Sequence, residues 1–324
     1  MKSEGIGSFL LELHSPGDEI SHIYSQPSYN NEISVWRVNN QKVVVKKFLK
    51  GSIFTPVQRA IREAEGLQCC SEIEIAPKYM GSLIDPETPI VVMSLEYGDD
   101  YKSDVELATR TMATYLATLH KLQIREGARE RDIYVGLRNL SEFEFWIESF
   151  NRKIEVGGHH IPADLQPHLQ DRIELTKLYK TFLHHYGETI TDRVQTYSHG
   201  DAGLQNLLNG ERGILLDWEY FGLRDPTYEA ASVLWFPQIL EQRARLLPIL
   251  KGHYFNGTDS TTDNTLAKRF DVWDALIPFR WFLKSLSYFA QVPSNNPIRN
   301  AVRDEARKRV EIYKQFAFSA FAGH

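Results

Sequence analysis

The sequence predicts an α+β chain in two unequal parts, a small antiparallel β lobe with one main helix and then a larger, mostly α-helical lobe. Three observations carry this. Two β-rich runs sit side by side near residue 40, a capped amphipathic helix follows them, and helical periodicity dominates beyond residue 100.

The β-rich runs span Glu32 to Phe48 and are joined by Asn39-Asn40-Gln41. Asparagine tolerates the positive φ that tight hairpin turns require, so the segment reads as a strand hairpin. Next, Thr55-Pro56 supplies an N-cap and a first-turn proline, and Val57, Ile61, Ala64 and Leu67 recur at helical spacing, which predicts a helix from Thr55 to Cys70. Lys78 to Ile84 and Pro89 to Met93 read as two further strands around the turn-like Asp85-Pro86-Glu87-Thr88. A polar break at Tyr97-Gly98-Asp99-Asp100 closes this part, so the lobes divide into residues 1–97 and 98–324. Val105, Ala108, Met112, Leu116 and Leu119 then mark one helical face, and similar faces recur near 142–150, 164–186, 228–252, 267–290 and 297–320. A strand-like patch between Gln195 and Trp218 is the one interruption.

Composition narrows the class. The 324 residues carry 37 Lys and Arg against 42 Asp and Glu, a net charge of -5, which points away from nucleic acid as partner. The two cysteines, Cys69 and Cys70, are adjacent, and a trans dipeptide does not supply disulfide geometry, so a reducing compartment is expected. The apolar run Phe9-Leu10-Leu11 is too short for a signal segment or membrane span. The expectation is a cytoplasmic protein with no membrane partner. The adjacent histidines His159-His160 and His184-His185 lack the ligand spacing of a zinc site.

Chemistry concentrates in the late strand-like patch. Leu207-Leu208 and Ile214-Leu215-Leu216 flank the turn-like Asn209-Gly210-Glu211-Arg212-Gly213. A hairpin centred between Glu211 and Arg212 sets Asn206 opposite Asp217, beside Asp201. Hard oxygen donors of this kind suit Mg²⁺, with Asn206 and Asp217 as ligands and Asp201 left to orient or deprotonate a hydroxyl. Phosphoryl transfer asks little more of a protein than such positioning and charge neutralisation.

His199-Gly200-Asp201, Asn206 five residues on, and Leu216-Asp217-Trp218-Glu219 together resemble the aminoglycoside phosphotransferase and choline kinase superfamily. Gly222 to Ala231, with its Asp225-Pro226, is similar to a second segment of that family. The resemblance implies a bilobal protein-kinase-like fold and transfer of the γ-phosphoryl group of ATP, or of GTP, to a hydroxyl of a small molecule. The acceptor class is aminoglycoside-like or, alternatively, choline, ethanolamine or another metabolite. It further implies that Asp201 is the catalytic base, that His199 braces its loop, and that Asn206 and Asp217 hold Mg²⁺. For Glu219 two readings stand, a metal ligand or a supporting or solvated carboxylate.

Such a site needs a strand lysine gripped by a helix glutamate. Val43-Val44-Val45-Lys46 supplies the pattern, and strand alternation allows one of Lys46 and Lys47 to face the nucleotide. Lys46 is the choice, with Lys47 solvated. Periodicity leaves Glu63 and Glu65 on opposite flanks of the helix, and the resemblance of Arg62-Glu63-Ala64 to the family favours Glu63. Val91 to Gly98 is similar to the adenine-binding strand and hinge, which implies Met93 at the back of the pocket and main-chain contacts from Ser94 and Glu96. No Gly-x-Gly-x-x-Gly precedes Lys46. Ser25 to Asn31 takes its place, with Ser28 and the backbone near Asn30 as phosphate cover. Between Gly127 and Thr191, acidic and basic residues interleave, so that segment does not name a cationic acceptor.

Overall fold

The computed structural model describes residues 3–13, 18–27, 30–49, 54–126, 137–192, 194–209, 213–258, 264–291 and 297–322. The chain divides into two compact units, Met1–Tyr115 with His199–Gly222, and Leu116–Ser198 with Leu223–His324.

The first unit is built on β2 (Asn31–Val38) and β3 (Gln41–Phe48), which pair antiparallel from Val38↔Gln41 to Asn31↔Phe48. Asn39 in their turn has φ 53, the left-handed conformation expected of it. β5 (Ile90–Ser94) adds beside β3, β4 (Tyr79–Leu83) beyond it, and β1 (Ile20–Pro27) beside β2, giving the order β1-β2-β3-β5-β4. β1 is an element the sequence reading left out. It occupies part of the expected phosphate loop, since Ser25 to Pro27 pair with Ser34 to Glu32. Ser28 lies outside the described residues.

A second unpredicted element covers one sheet face. Helix α1 (Ser3–Leu13) buries Ile6, Phe9 and Leu10 with Trp36, Val43, Val45, Ile90 and Val92. Phe9 and Leu10 of the run too short for a span thus serve, with Ile6, as the apolar stripe of a short packing helix. Because successive strand residues face opposite ways, Val43 and Val45 point into this core while Lys46 and Phe48 belong to the other face. Helix α2 (Pro56–Cys70) covers that face. It starts as predicted, with a capping box in which the Thr55 hydroxyl accepts from the Gln58 amide at 3.2 Å and the Gln58 side chain accepts from the Thr55 amide at 2.9 Å.

The buried stripe of α2 differs from the apolar one. Arg59, Ala60, Glu63, Ala64, Gly66, Leu67 and Cys70 are buried, whereas Ile61 is exposed. Arg59 and Glu63 stand four residues apart on the inward side, so the helix is rotated to present charge to the interior.

After Ser94 the chain runs to the short β6 (Asp99–Asp100), which pairs with β8 (Leu207–Asn209), itself paired with β9 (Ile214–Leu215). The β8–β9 register is Leu207↔Leu215 and Leu208↔Ile214, one residue away from the expected one. Asn206 therefore faces Leu216, whose amide donates to the Asn206 carbonyl at 2.7 Å, and not Asp217.

Helix α3 (Val105–Leu119) carries the chain to the second unit. There, α4 (Leu140–Gly157) and α5 (Pro167–Tyr186) precede β7 (Thr196–Ser198). β10 (Gly222–Arg224) leads to α6 (Pro226–Ser232), α7 (Arg243–Gly257), α8 (Asn264–Phe289) and α9 (Pro297–Ala322). The single helix expected over 228–252 is broken between α6 and α7, where Phe236 before Pro237 is extended at ψ 137, as a residue preceding proline prefers. Asp225 caps α6 through the Thr227 and Tyr228 amides and accepts from Arg269 and from Trp273 Nε1 at 2.8 Å, with no exposure of its own. The Asp225-Pro226 segment is thereby accounted for as the buried tie between α6 and α8. Trp273, Phe279 and Phe282 of α8 are buried and belong to the core of this unit. A cavity of about 370 Å³ opens between α4 and α5 among Glu144, Glu148, Arg152, Tyr179 and Lys180, as mixed in charge as the sequence suggests. Among the described residues, no helix is long and apolar enough to cross a membrane.

Candidate active site

The first unit gathers the sequence-predicted residues around one buried ammonium group. Lys46 Nζ lies 2.8 Å from Glu63 Oε2, 2.5 Å from Asp217 Oδ1 and 3.3 Å from Glu219 Oε2. Geometry thus selects Glu63, with 1% exposure, over Glu65. Lys46 also sits over the Phe48 ring, two residues along the same strand face, at 5.1 Å from the centroid. Lys47 does not behave as expected. Its side chain is only 12% exposed, and its ammonium approaches Glu32 at 3.9 Å.

Burial alone pulls the Lys46 pKa down, but the charges of Asp217, Glu63 and Glu219 outweigh it and hold it above the ordinary lysine value. Burial is likewise the largest influence on Glu63. Lys46 opposes it, the neighbouring Asp217 and Glu219 reinforce it, and the carboxyl is pushed up to about 7. For Asp217 burial works upward, yet the charge and hydrogen bond of Lys46 bring the pKa below the usual carboxylate value.

Asp217 reaches Lys46 through a sharp change of direction at the end of β9, where it adopts φ 66 and ψ 59. The turn Trp218 to Tyr220 then packs on α2 so closely that a Cβ on Gly66 would stand 2.9 Å from Trp218 Cβ and 3.1 Å from Phe221 Cβ. Arg62 fastens the same turn by donating to the Phe221 carbonyl at 2.6 Å. Glycine at 66 is therefore required by the approach of a helix to the segment that carries Asp217. Gly66→Ala is expected to cost about 1–3 kcal/mol by overpacking, measured by urea unfolding, with a parallel loss of nucleotide affinity because Asp217 is displaced.

The loop from His199 to Asn206 is held independently. His199 Nε2 pairs with the Leu216 carbonyl at 2.8 Å, and its Nδ1 accepts the Asp201 amide at 3.2 Å. A carbonyl cannot donate, so Nε2 carries the proton and the ring is a neutral brace between the loop and β9. Its edge meets Trp218, with ring centroids 4.6 Å apart. Gly200, at φ 90, makes the turn between brace and carboxylate. Asn206 Nδ2 donates to the Asp201 carbonyl at 2.8 Å, which commits the amide nitrogen and leaves the amide oxygen for a cation.

Fitness for a divalent metal follows from exposure. Glu63, Asp217 and Glu219 lie close enough together to share an ion. Lys46, however, already occupies their centre, and Glu63 and Glu219 are buried, whereas the Asp217 side chain is 38% exposed with only its Oδ1 on the lysine. Of the three carboxylates, Asp217 is the one that could hold a hard cation such as Mg²⁺, and the Asn206 amide oxygen, on the loop tied to Leu216, is a further hard donor. Of the residues expected at the hinge, Met93 is buried in β5 opposite Val44, and Ser94 ends that strand. The Ser94 hydroxyl accepts the Lys78 amide at 2.8 Å and donates to Glu96.

Two functional candidates escaped the sequence reading. Arg59 Nη2 lies 2.7 Å from Glu219 Oε2 and 2.7 Å from Asn31 Oδ1, and Asn31 Nδ2 donates to Glu219 Oε2 at 3.0 Å. The i,i+4 spacing of Arg59 and Glu63 was the available signal for the first, since a buried guanidinium demands a carboxylate. No comparable signal marked Asn31.

A buried lysine–glutamate pair, a partly exposed aspartate beside it, and a His-braced loop bearing Asp201 and Asn206 stand together on this α+β frame. The chain belongs to the phosphotransferase enzyme family, whose model matches residues 31–262. Among solved structures it is similar to choline kinase from Cryptosporidium parvum Iowa II (TM-score 0.67, 14% identity, 99% of this chain and 97% of that one). It is also similar to a spectinomycin phosphotransferase in complex with ADP and spectinomycin (0.63, 11%, 99% and 98%) and to an ethanolamine kinase of Plasmodium vivax (0.59, 16%, 95% and 85%). These identities speak to the protein-kinase-like fold. No curated protein matches the sequence.

Proposed function

We propose that this protein transfers the γ-phosphoryl group of ATP, or of GTP, to a hydroxyl of a small molecule in the cytoplasm, with residues 1–97 as the nucleotide lobe and 98–324 as the lobe of the catalytic loop and acceptor. The observation that carries this is the convergence of Lys46, Glu63 and Asp217 in one cluster, with the Asp201–Asn206 loop braced to the same β9 end by His199. Met93, Ser94 and Glu96 hold the base, and Lys46, oriented by Glu63, holds the α- and β-phosphates with help from Ser28. Asp201 aligns the acceptor hydroxyl and takes its proton as the oxygen bonds to the γ-phosphorus and the bond to the β-phosphate oxygen breaks, releasing the nucleoside diphosphate. Asn206 and Asp217 would hold Mg²⁺, which when bound neutralises charge on the transferring phosphoryl group.

Aminoglycoside-like acceptors are the first reading. Amino alcohols such as choline or ethanolamine are the second, favoured by the likeness to kinases of both. Nucleotide consumption measured over a panel of aminoglycosides, amino alcohols and sugars, each with ATP and with GTP, separates them. Nucleotide binding without consumption against every acceptor would instead support a non-catalytic scaffold.

A further inference from the structure

We infer that Arg59 and Glu219 are a positioning pair that sets Lys46 against Asp217, and that Glu219 does not ligate the metal. The inference rests on the phosphotransferase reading for its purpose and on geometry for its substance. Glu219 is 4% exposed, and its Oε2 already accepts from Arg59 at 2.7 Å and Asn31 at 3.0 Å, with Lys46 at 3.3 Å. Oε2 is thus engaged by three nitrogen donors, two of them the cations Lys46 and Arg59, on a side chain that is buried, whereas Asp217 keeps one carboxylate oxygen off the lysine on a side chain 38% exposed.

The guanidinium in turn ties together pieces that a nucleotide site must keep in register. Besides Glu219 and Asn31, Arg59 Nη1 reaches the carbonyl of Asn30 at 3.3 Å and that of Leu49 at 3.5 Å. These are the end of β3, three residues past Lys46, and the entry to β2 beside the expected phosphate loop. Phe48 lies under both cations, with Arg59 5.3 Å from its ring centroid. Only a planar fork with five donors can serve a carboxylate, an amide oxygen and two carbonyls at once, and lysine cannot replace it. Glu219 is the anchor of that fork, and the two-residue step from Asp217 to Glu219 transmits its position to the partly exposed Asp217 carboxylate.

Metal-free binding of a fluorescent N-methylanthraniloyl-ATP to the full chain, with magnesium titrated afterwards, tests this. Glu219→Gln and Arg59→Gln, each confirmed as folded by circular dichroism, should both weaken metal-free binding about tenfold, and the double variant should be no weaker than either, as expected of two residues acting as one unit. Arg59→Lys, which keeps the charge but not the fork, should remain impaired. The magnesium midpoint should stay in place for Glu219→Gln and move at least about tenfold for Asp217→Asn, since even groups that merely support a ligand move metal affinity that far. A magnesium shift in Glu219→Gln as large as in Asp217→Asn, or additive losses in the double variant, overturns the inference. Should Arg59→Gln fail to fold, Glu219→Gln and Arg59→Lys decide it. If the wild-type chain binds no nucleotide, the phosphotransferase reading falls. The pair then stands or falls on whether its two substitutions are coupled in thermal unfolding.

Discussion

Asp201→Asn is expected to reduce kcat by about 10²- to 10⁴-fold, the usual worth of a positioned general base, with nucleotide affinity close to wild type. The separation of the two effects follows from where the carboxylate sits. Asp201 is placed by the neutral His199 brace on its amide and by Asn206, whose Nδ2 donates to its carbonyl at 2.8 Å and lies 3.4 Å from its Oδ2. Replacing the carboxylate with an amide leaves both of those main-chain bonds intact, so the loop should keep its course. What is lost is the group that accepts the acceptor's proton. Single-turnover kinetics beside equilibrium nucleotide binding measure the two quantities separately. A variant that retained most of its turnover would remove Asp201 from the reaction, and one that lost nucleotide binding in proportion would make it a structural residue.

Much of this arrangement was legible in the sequence because local chemistry and global position agreed. Thr55-Pro56 announces a helix start, and the capping box is there. Asn39-Asn40 announces a tight turn, and Asn39 is left-handed. Strand alternation left one of Lys46 and Lys47 to face inward and the Val43-Val44-Val45-Lys46 pattern picked Lys46, although Lys47 is itself largely covered. What could not be read was whatever depends on partners distant in sequence. Helix α1 is short and acquires its meaning from Trp36 and the β3 valines, which periodicity over eleven residues does not reveal. The rotation of α2 is the sharper case. An apolar stripe argues for burying Ile61, yet Arg59 and Glu63 are the buried residues, because Glu219 and Lys46 await them. Hydrophobic pattern is a guide to the core, and a nucleotide site is where a protein departs from it. The one-residue error in the β8–β9 register has another origin, since loop length cannot be counted until the pairing is known.

That same departure predicts that Glu63→Gln gains stability above neutral pH while losing function. Three carboxylates, Glu63, Asp217 and Glu219, share two cations, Lys46 and Arg59, so the cluster holds one negative charge too many. Burial and the two other carboxylates push Glu63 up to about 7 from an ordinary 4.5. Below about 4.5 it is protonated in folded and unfolded chains alike, and its stabilising contribution is fully present. Between 4.5 and 7 the folded chain binds the proton and the unfolded chain does not, so stability falls as pH rises through that window. A difference of this size corresponds to about 3 kcal/mol. Glutamine mimics the protonated form at every pH, so wild type and variant should unfold alike near pH 4.5, with the variant the more stable above pH 7. Asp217 moves oppositely, its contribution being present above its unfolded pKa and lost as pH falls through its depressed folded one, and both proteins share it. Turnover should run the other way, because an uncharged amide holds the Lys46 ammonium less firmly against the phosphates and lets Asp217 draw it aside. Chemical denaturation of both proteins across pH, with kcat and KM for nucleotide at each point, checks both halves. A constant stability difference from pH 4.5 to above 7 would place the excess charge elsewhere in the cluster, and unchanged kinetics would deny Glu63 its hold on the lysine.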